Sequence, residues 1–221
     1  MIVSQSLLKI DAVAKQRWGN IHKGETAIII GNGNSLKSVP KELLNKYPSF
    51  GANLIHMLPF QPVYFSCIAT KYLTKFSGEI YNTAANADIA FISSFHLKDN
   101  IPDLQKLYSL ETIQLIYKDT VTFPGEYFMT GSTVTYVNLK VAFFMGFETI
   151  LIVGCDHNPE WTHFYGNHLN TPPPERKFHD MTYHYFVAGE VYKEAGRRVI
   201  NLSSPSVLDE FFEHGKIGDW L

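Results

Sequence analysis

Cysteine is scarce in this 221-residue chain: only Cys67 and Cys155 occur, far apart and each inside an apolar run. That leaves a disulfide scaffold or a Cys-based zinc site without support, and both residues read as buried thiols. Charge is scarce too. Asp, Glu, Lys and Arg make up 18% of the chain, and 19 basic against 21 acidic side chains leave a net charge of −2. A chain so balanced lacks the broad basic field of a duplex-DNA binder or an electrostatic membrane clamp, so no nucleic-acid partner is expected. Long apolar runs are missing as well. The most apolar stretch, Val141 to Cys155, is broken by Glu148 and Thr149, short of the roughly 18–20 residues that span a bilayer. Lys9, Asp11, Lys15 and Arg17 interrupt the first apolar residues before a secretory core can form. A cytoplasmic location with reduced thiols is the expectation.

What is present is a chain 45% hydrophobic and 14% aromatic, enough to bury a sizeable core. Its length suits a single domain spanning residues 1–221. Helical spacing of Leu7, Ile10, Ala14, Trp18 and Ile21 predicts a helix over residues 5–20. Thr26 to Ile30 reads as a buried strand, Gly31 to Ser35 as a tight turn, and Pro40 to Leu44 as the start of a helix. Further strands are predicted over 50–55, 62–69, 89–93 and 112–117, with a helix over 71–85. A helix apolar on most sides follows over 134–144, stopped by Gly146, then the buried strand Thr149 to Val153, ending in Gly154-Cys155-Asp156. A long loop, 157–177, carries Pro159 and the run Pro172 to Pro174, and loops of this length are usually functional lids or disordered. A helix marked by Met181, Tyr185, Ala188, Tyr192 and Ala195, a strand over 198–202 and a short helix over 206–212 capped by Ser204 close the chain. Alternating strands and helices predict a Rossmann-like α/β fold with a mostly parallel sheet covered on both faces.

In such folds ligands bind beyond the carboxyl ends of the strands, where both the glycine turn and the Asp156 loop lie. Gly31, Asn32, Gly33, Asn34 and Ser35 suit a backbone N–H cradle for phosphate, or a turn that merely needs glycine. Leu36 replaces the third glycine of a dinucleotide fingerprint, and no Walker loop occurs anywhere in the chain. Asn32, Asn34 and Asn53 are neutral groups able to read a base or a sugar hydroxyl. Thr130, Gly131, Ser132 and Thr133 precede the buried helix and suit either capping or anion binding. Five of the nine histidines (His157, His163, His168, His179 and His184) crowd into residues 157–184. The pairs 163/168 and 179/184 are five apart, whereas two ligands on one helical face are four apart, so the spacing fits metal poorly. These histidines read either as a catalytic base near neutral pKa or as polar loop and helix residues.

Taken in order, Ile28 to Leu36, Ala52-Asn53, Thr130 to Thr133, Met145 to Asp156 and Asn201 to Ser206 resemble bacterial sialyltransferases that use CMP-sialic acid on lipooligosaccharide. The same order is similar to a group holding 6-hydroxymethylpterin diphosphokinase and the motility accessory factors of flagellin glycosylation. The sialyltransferase resemblance implies nucleotide contacts from Asn32 and Asn53, donor contacts near Ser132, a phosphate-contacting Tyr165 and a general base at His179. This chain has Asn34 where the family has proline, and Ser66 near the place of another nucleotide-binding asparagine. The function so implied is a metal-independent, sialyltransferase-like glycosyltransferase that moves a sugar from a CMP-linked donor to a glycan or small-molecule acceptor. It needs no cofactor, and homo-oligomer formation is left open. The alternatives are a pterin diphosphokinase-like enzyme using ATP and Mg²⁺, with Asp156 helping to position the metal, and a non-catalytic nucleotide- or glycan-binding module. His184 and His168 are the next candidates for the base.

Overall fold

The computed structural model describes residues 18–93, 112–115, 133–158, 160, 162–166, 169 and 173–221. The expected first helix lies mostly outside them, as do His168, Thr130, Gly131 and Ser132. The strands are β1 (Thr26–Ile30), β2 (Ser49–Ala52), β3 (Tyr64–Cys67), β4 (Ile89–Ser93), β5 (Thr112–Leu115), β6 (Thr149–Val153), β7 (Arg198–Asn201) and β8 (Glu213–His214). They form one sheet in the order β5-β4-β3-β2-β1-β6-β7-β8, and every ladder is parallel. This is the expected Rossmann-like α/β architecture. The helices are α1 (Lys41–Lys46), α2 (Thr70–Lys75), α3 (Ser77–Ala85), α4 (Val134–Phe144) and α5 (Glu175–Glu194).

Strand alternation divides the core. Along β1, Ala27 and Ile29 join a cluster with α4 and α5, while Ile28 and Ile30 join another with α1, α2 and α3. Side chains two apart share a face of the sheet, so a strand apolar at every position must be covered on both faces. Ala27 to Ile30 are all fully buried, and each isoleucine contributes roughly 1.5–3 kcal/mol relative to exposure. Helix α4 is buried from Val134 through Ala142, as its all-round apolar pattern predicts. It ends where Gly146 takes φ +94. At the amino ends of the strands His22 stacks on Phe147 at 4.3 Å and bridges the Glu25 carboxylate (2.9 Å) and the Tyr64 hydroxyl (2.6 Å). That end is closed by packing, and the opposite end is open.

The strands expected over 50–55 and 62–69 are shorter, Ser49–Ala52 and Tyr64–Cys67, β8 was not expected, and three helices differ from the sequence reading. Helix α5 starts at Glu175, inside the expected loop, because Pro174 stands as its N-cap with φ −54 and so begins a helix instead of blocking one. The helix expected over 71–85 is two helices, broken at Phe76 (φ −127, ψ 38), which ends α2 and starts α3. The closing helix is a 3₁₀ turn, Val207–Glu210, capped by Ser206 instead of Ser204; Asp209 returns the bond to the Ser206 N–H, completing a capping box.

Candidate functional site

The sheet order reverses at β1, with β2 on one side and β6 on the other, so the loops leaving β1 and β6 part and leave a crevice. A cavity of about 550 Å³ occupies that crevice. Gly31, Asn32 and Gly33 form its floor after β1, Asn53 borders it after β2, and Gly154 to Asn158 border it after β6. Lys71 and Tyr72 of α2 line one side, and Lys177, Met181 and Tyr185 of α5 line another.

The two loops are stitched together at the floor. Gly31 donates to the Val153 carbonyl (2.8 Å) and Gly33 to that of Gly154 (2.6 Å). Ser35 donates its N–H to Asp156 Oδ2 at 3.0 Å and its hydroxyl to Asp156 Oδ1. Such an approach excludes side chains: a Cβ on Gly31 would lie 2.3 Å from the Gly154 carbonyl oxygen, and one on Gly33 2.7 Å from Asp156 Oδ2. Three donors of the turn expected to cradle a phosphate, the N–H groups of Gly31, Gly33 and Ser35, are therefore engaged within the chain. Asn34 is exposed and does not line the cavity.

Asn32 and Asn53 do line it. The Asn32 amide nitrogen donates to the Ala52 carbonyl at 3.0 Å, which only accepts, so the amide oxygen must turn elsewhere. That oxygen, and the amide oxygen of Asn53, are buried without a hydrogen-bond partner. Asn53 holds φ +48, the left-handed region in which asparagine is among the residues best tolerated. Ser66 does not reach the cavity: fully buried, it donates to Asn138 Oδ1 at 2.6 Å and ties β3 to α4.

The histidines separate. His179 lies on the outer face of α5, 71% exposed and 3.6 Å from Glu175. It is about 160° round the helix from the cavity-lining Met181. His184 is half-buried beside Tyr136 (5.0 Å), with Nδ1 on the Asp180 carbonyl at 2.6 Å. Neither lines the cavity, but His157 and His163 do. His157 stacks on Phe178 at 4.3 Å, and its Nε2 lies 2.8 Å from the Thr182 hydroxyl. Thr182 spends its one proton on the Phe178 carbonyl (2.9 Å), so Nε2 carries the imidazole proton and Nδ1 the lone pair. Burial pushes the His157 pKa down to about 4, keeping the ring neutral at pH 7. His163 stacks on Tyr165 at 5.1 Å, and the Tyr165 hydroxyl is 3.3 Å from that of Tyr72. Thr133 caps α4 by accepting from the Thr135 N–H (3.3 Å) and meets the Tyr185 hydroxyl at 3.1 Å. Cys155 lines the cavity, but burial raises its thiol to about 11, so it is unreactive at neutral pH. Among the described residues no group of three His, Cys, Asp or Glu is placed to hold a metal ion.

Lys71, Tyr72, Lys177 and Tyr185 were not legible as site residues. Sequence periodicity places Lys71, Tyr72 and Tyr185 on helices without saying which helix end reaches the crevice, and Lys177 falls at the end of the expected 157–177 loop. His157 and His163 carried a signal, the histidine crowding, which did not say which members turn inward.

An open parallel sheet with a crevice at its order reversal defines a Rossmann-like α/β class of fold. Among solved structures the chain is similar to the sialyltransferase CstII from Campylobacter jejuni in complex with the substrate analogue cytidine-5'-monophosphate. The TM-score is 0.54 at 14% sequence identity, over 88% of this chain and 86% of that one. A CstII structure in complex with CMP-3FNeuAc matches with a TM-score of 0.50 at 14% identity, over 86% of each chain. No family model and no curated protein matches the sequence. What is shared at this identity is the fold.

Proposed function

We propose that this chain is a sialyltransferase-like glycosyltransferase that takes a CMP-linked sugar in the crevice and passes the sugar to an acceptor hydroxyl. The observation that carries the reading is the pair of buried amide oxygens, Asn32 and Asn53, which lack donors at the cavity wall. A buried acceptor left unpaired costs roughly 1–3 kcal/mol, and a turn of either amide into the cavity would bring its oxygen to the amino group of cytosine or the hydroxyls of a ribose. The similar CstII structures, which hold CMP or CMP-3FNeuAc, support the choice of base.

In this scheme the acceptor oxygen attacks the anomeric carbon, the bond from that carbon to the phosphate oxygen breaks, and CMP departs with the electron pair. Tyr165 donates its hydroxyl to the leaving phosphate. We assign the proton acceptor to His157. It lines the cavity, packed against Phe178 and Thr182 of α5, and its tautomer leaves Nδ1 to take the acceptor's proton. We prefer it to His179, the base that the resemblance implies, because His179 faces outward on α5. No metal takes part in the scheme. The Mg²⁺ and ATP alternative would use Asp156, both of whose oxygens are bound by Ser35, and gains no support from that geometry. A cytoplasmic site of action fits two buried, unpaired thiols.

Isothermal titration with CMP, CDP, UMP, GMP and ATP tests the reading. CMP is expected to bind most tightly, and Asn53→Ala to weaken it about tenfold, as removal of a buried hydrogen-bond partner does. Absence of binding by all five at millimolar concentration would overturn it.

A further inference from the structure

The crevice is lined by two lysines from different elements. Lys71 projects from α2, which follows β3, and Lys177 from the first turn of α5, so they belong to different sides of one cavity. The Lys71 ammonium donates to the Leu169 carbonyl at 3.2 Å and lies 4.8 Å from the centre of the Tyr72 ring. The two charges are close enough to oppose each other: burial first, then the Lys177 charge, lowers the Lys71 pKa. Like charges brought into one cavity are unfavourable until an anion enters between them. The same lining carries donors of the right kind, the adjoining hydroxyls of Tyr72 and Tyr165, 3.3 Å apart. The acidic residue on the lining, Asp156, has both oxygens bound by Ser35 on the floor. In the turn after β1, a usual place for a phosphate in such a fold, the Ser35 N–H and hydroxyl are taken by that same carboxylate and do not serve a ligand.

We propose that Lys71 and Lys177 form a two-sided cationic clamp that receives the phosphate of the ligand at the mouth, in place of the turn after β1. The inference rests on the nucleotide reading above and adds two positioning residues to it. The asparagines read the nucleoside, and the lysines supply the increment that distinguishes a nucleotide from it. Compact, strongly hydrated ammonium groups on flexible stems act as point charges that can follow a phosphate as it leaves.

The test compares CMP with cytidine by titration in the wild type, Lys71→Met, Lys177→Met and Lys177→Arg, with inorganic pyrophosphate as a base-free probe. The wild type is expected to prefer CMP over cytidine at least tenfold, and each Met variant to cut that preference about fivefold, as loss of one charge-assisted contact does. Cytidine affinity should not move in any variant, which also reports that each is folded. Lys177→Arg should keep the preference, and the salt dependence of CMP binding should flatten in the Met variants. An unchanged CMP-to-cytidine ratio in both Met variants would overturn the clamp and leave the nucleotide reading standing. Should neither cytidine nor CMP bind the wild type, the nucleotide reading fails. Pyrophosphate then decides the clamp: binding lost in both Met variants upholds it, and no binding overturns it as well.

Discussion

At the scale of single residues, the floor of the crevice depends on backbone approaching backbone. Gly31 and Gly33 are required less to expose N–H groups than to let the β1 turn touch Gly154 and Asp156. Gly31→Ala should cost about 3 kcal/mol or more in urea unfolding, because its methyl would sit 2.3 Å from a carbonyl oxygen that is itself hydrogen-bonded to Gly33. Gly78→Ala, in α3 with nothing within 4 Å of the added carbon, should instead stabilise by about 0.5–1 kcal/mol. His157 gives stability a pH dependence of definite sign. Its pKa is about 4 in the native state against an ordinary 6.5, so between those values the unfolded chain binds a proton that the native chain refuses. Stability is therefore full above pH 6.5 and falls as pH drops towards 4, by roughly 3 kcal/mol from this group. His157→Asn, which tolerates φ +40, should flatten that fall in denaturation curves taken from pH 7 to 4. A slope equal to the wild type's would show that His157 is not held neutral. The sequence identified the glycine turn as a turn, and Asn32 and Asn53 as residues at strand ends. It did not show that Asp156, 121 positions from Ser35, accepts that residue's N–H and hydroxyl. That pairing exists only once β1 and β6 lie side by side.

At the scale of elements, α4 and α5 decide which groups face the crevice. Helix α4 ends against Arg197, whose guanidinium donates to the Phe143 carbonyl at 2.6 Å and lies 4.1 Å from the Phe143 ring centre. Carbonyls at a helix end need donors, and a cation there also meets the favourable end of the helix dipole. Arg197→Met should lower stability by about 1–2 kcal/mol in thermal or urea unfolding. An unchanged midpoint would mean that solvent serves those carbonyls equally well. Apolar patterning made α4 and most strands readable, since a helix or strand buried on all sides is apolar on all sides. The start of α5 was less readable because the proline run looks like a loop, whereas a proline before the first turn is compatible with a helix. That helix phase sets Met181 and Tyr185 inward and His179 outward. A one-residue shift in matching a short motif moves a side chain about 100° round a helix, so motif order puts His179 on α5 without saying which way it faces. The two-residue β8 carries no pattern at all; it exists because its backbone pairs with Ile200 and Asn201.

At the scale of the whole molecule, the eight parallel strands close one end by packing and open the other where the order reverses. The near-neutral charge seen in the composition agrees with the proposed reading of the ligand by amides and hydroxyls, with two lysines among the described residues of the lining. The central claim is that this mouth breaks the bond between a sugar and CMP. The most direct measurement is ³¹P NMR of CMP-sialic acid incubated with the protein, with and without a glycan acceptor. The account predicts growth of the CMP resonance well above the rate in buffer, reduced about 100-fold in His157→Asn and within about threefold of wild type in His179→Ala. A donor that decays no faster with the wild-type protein than in buffer would contradict it.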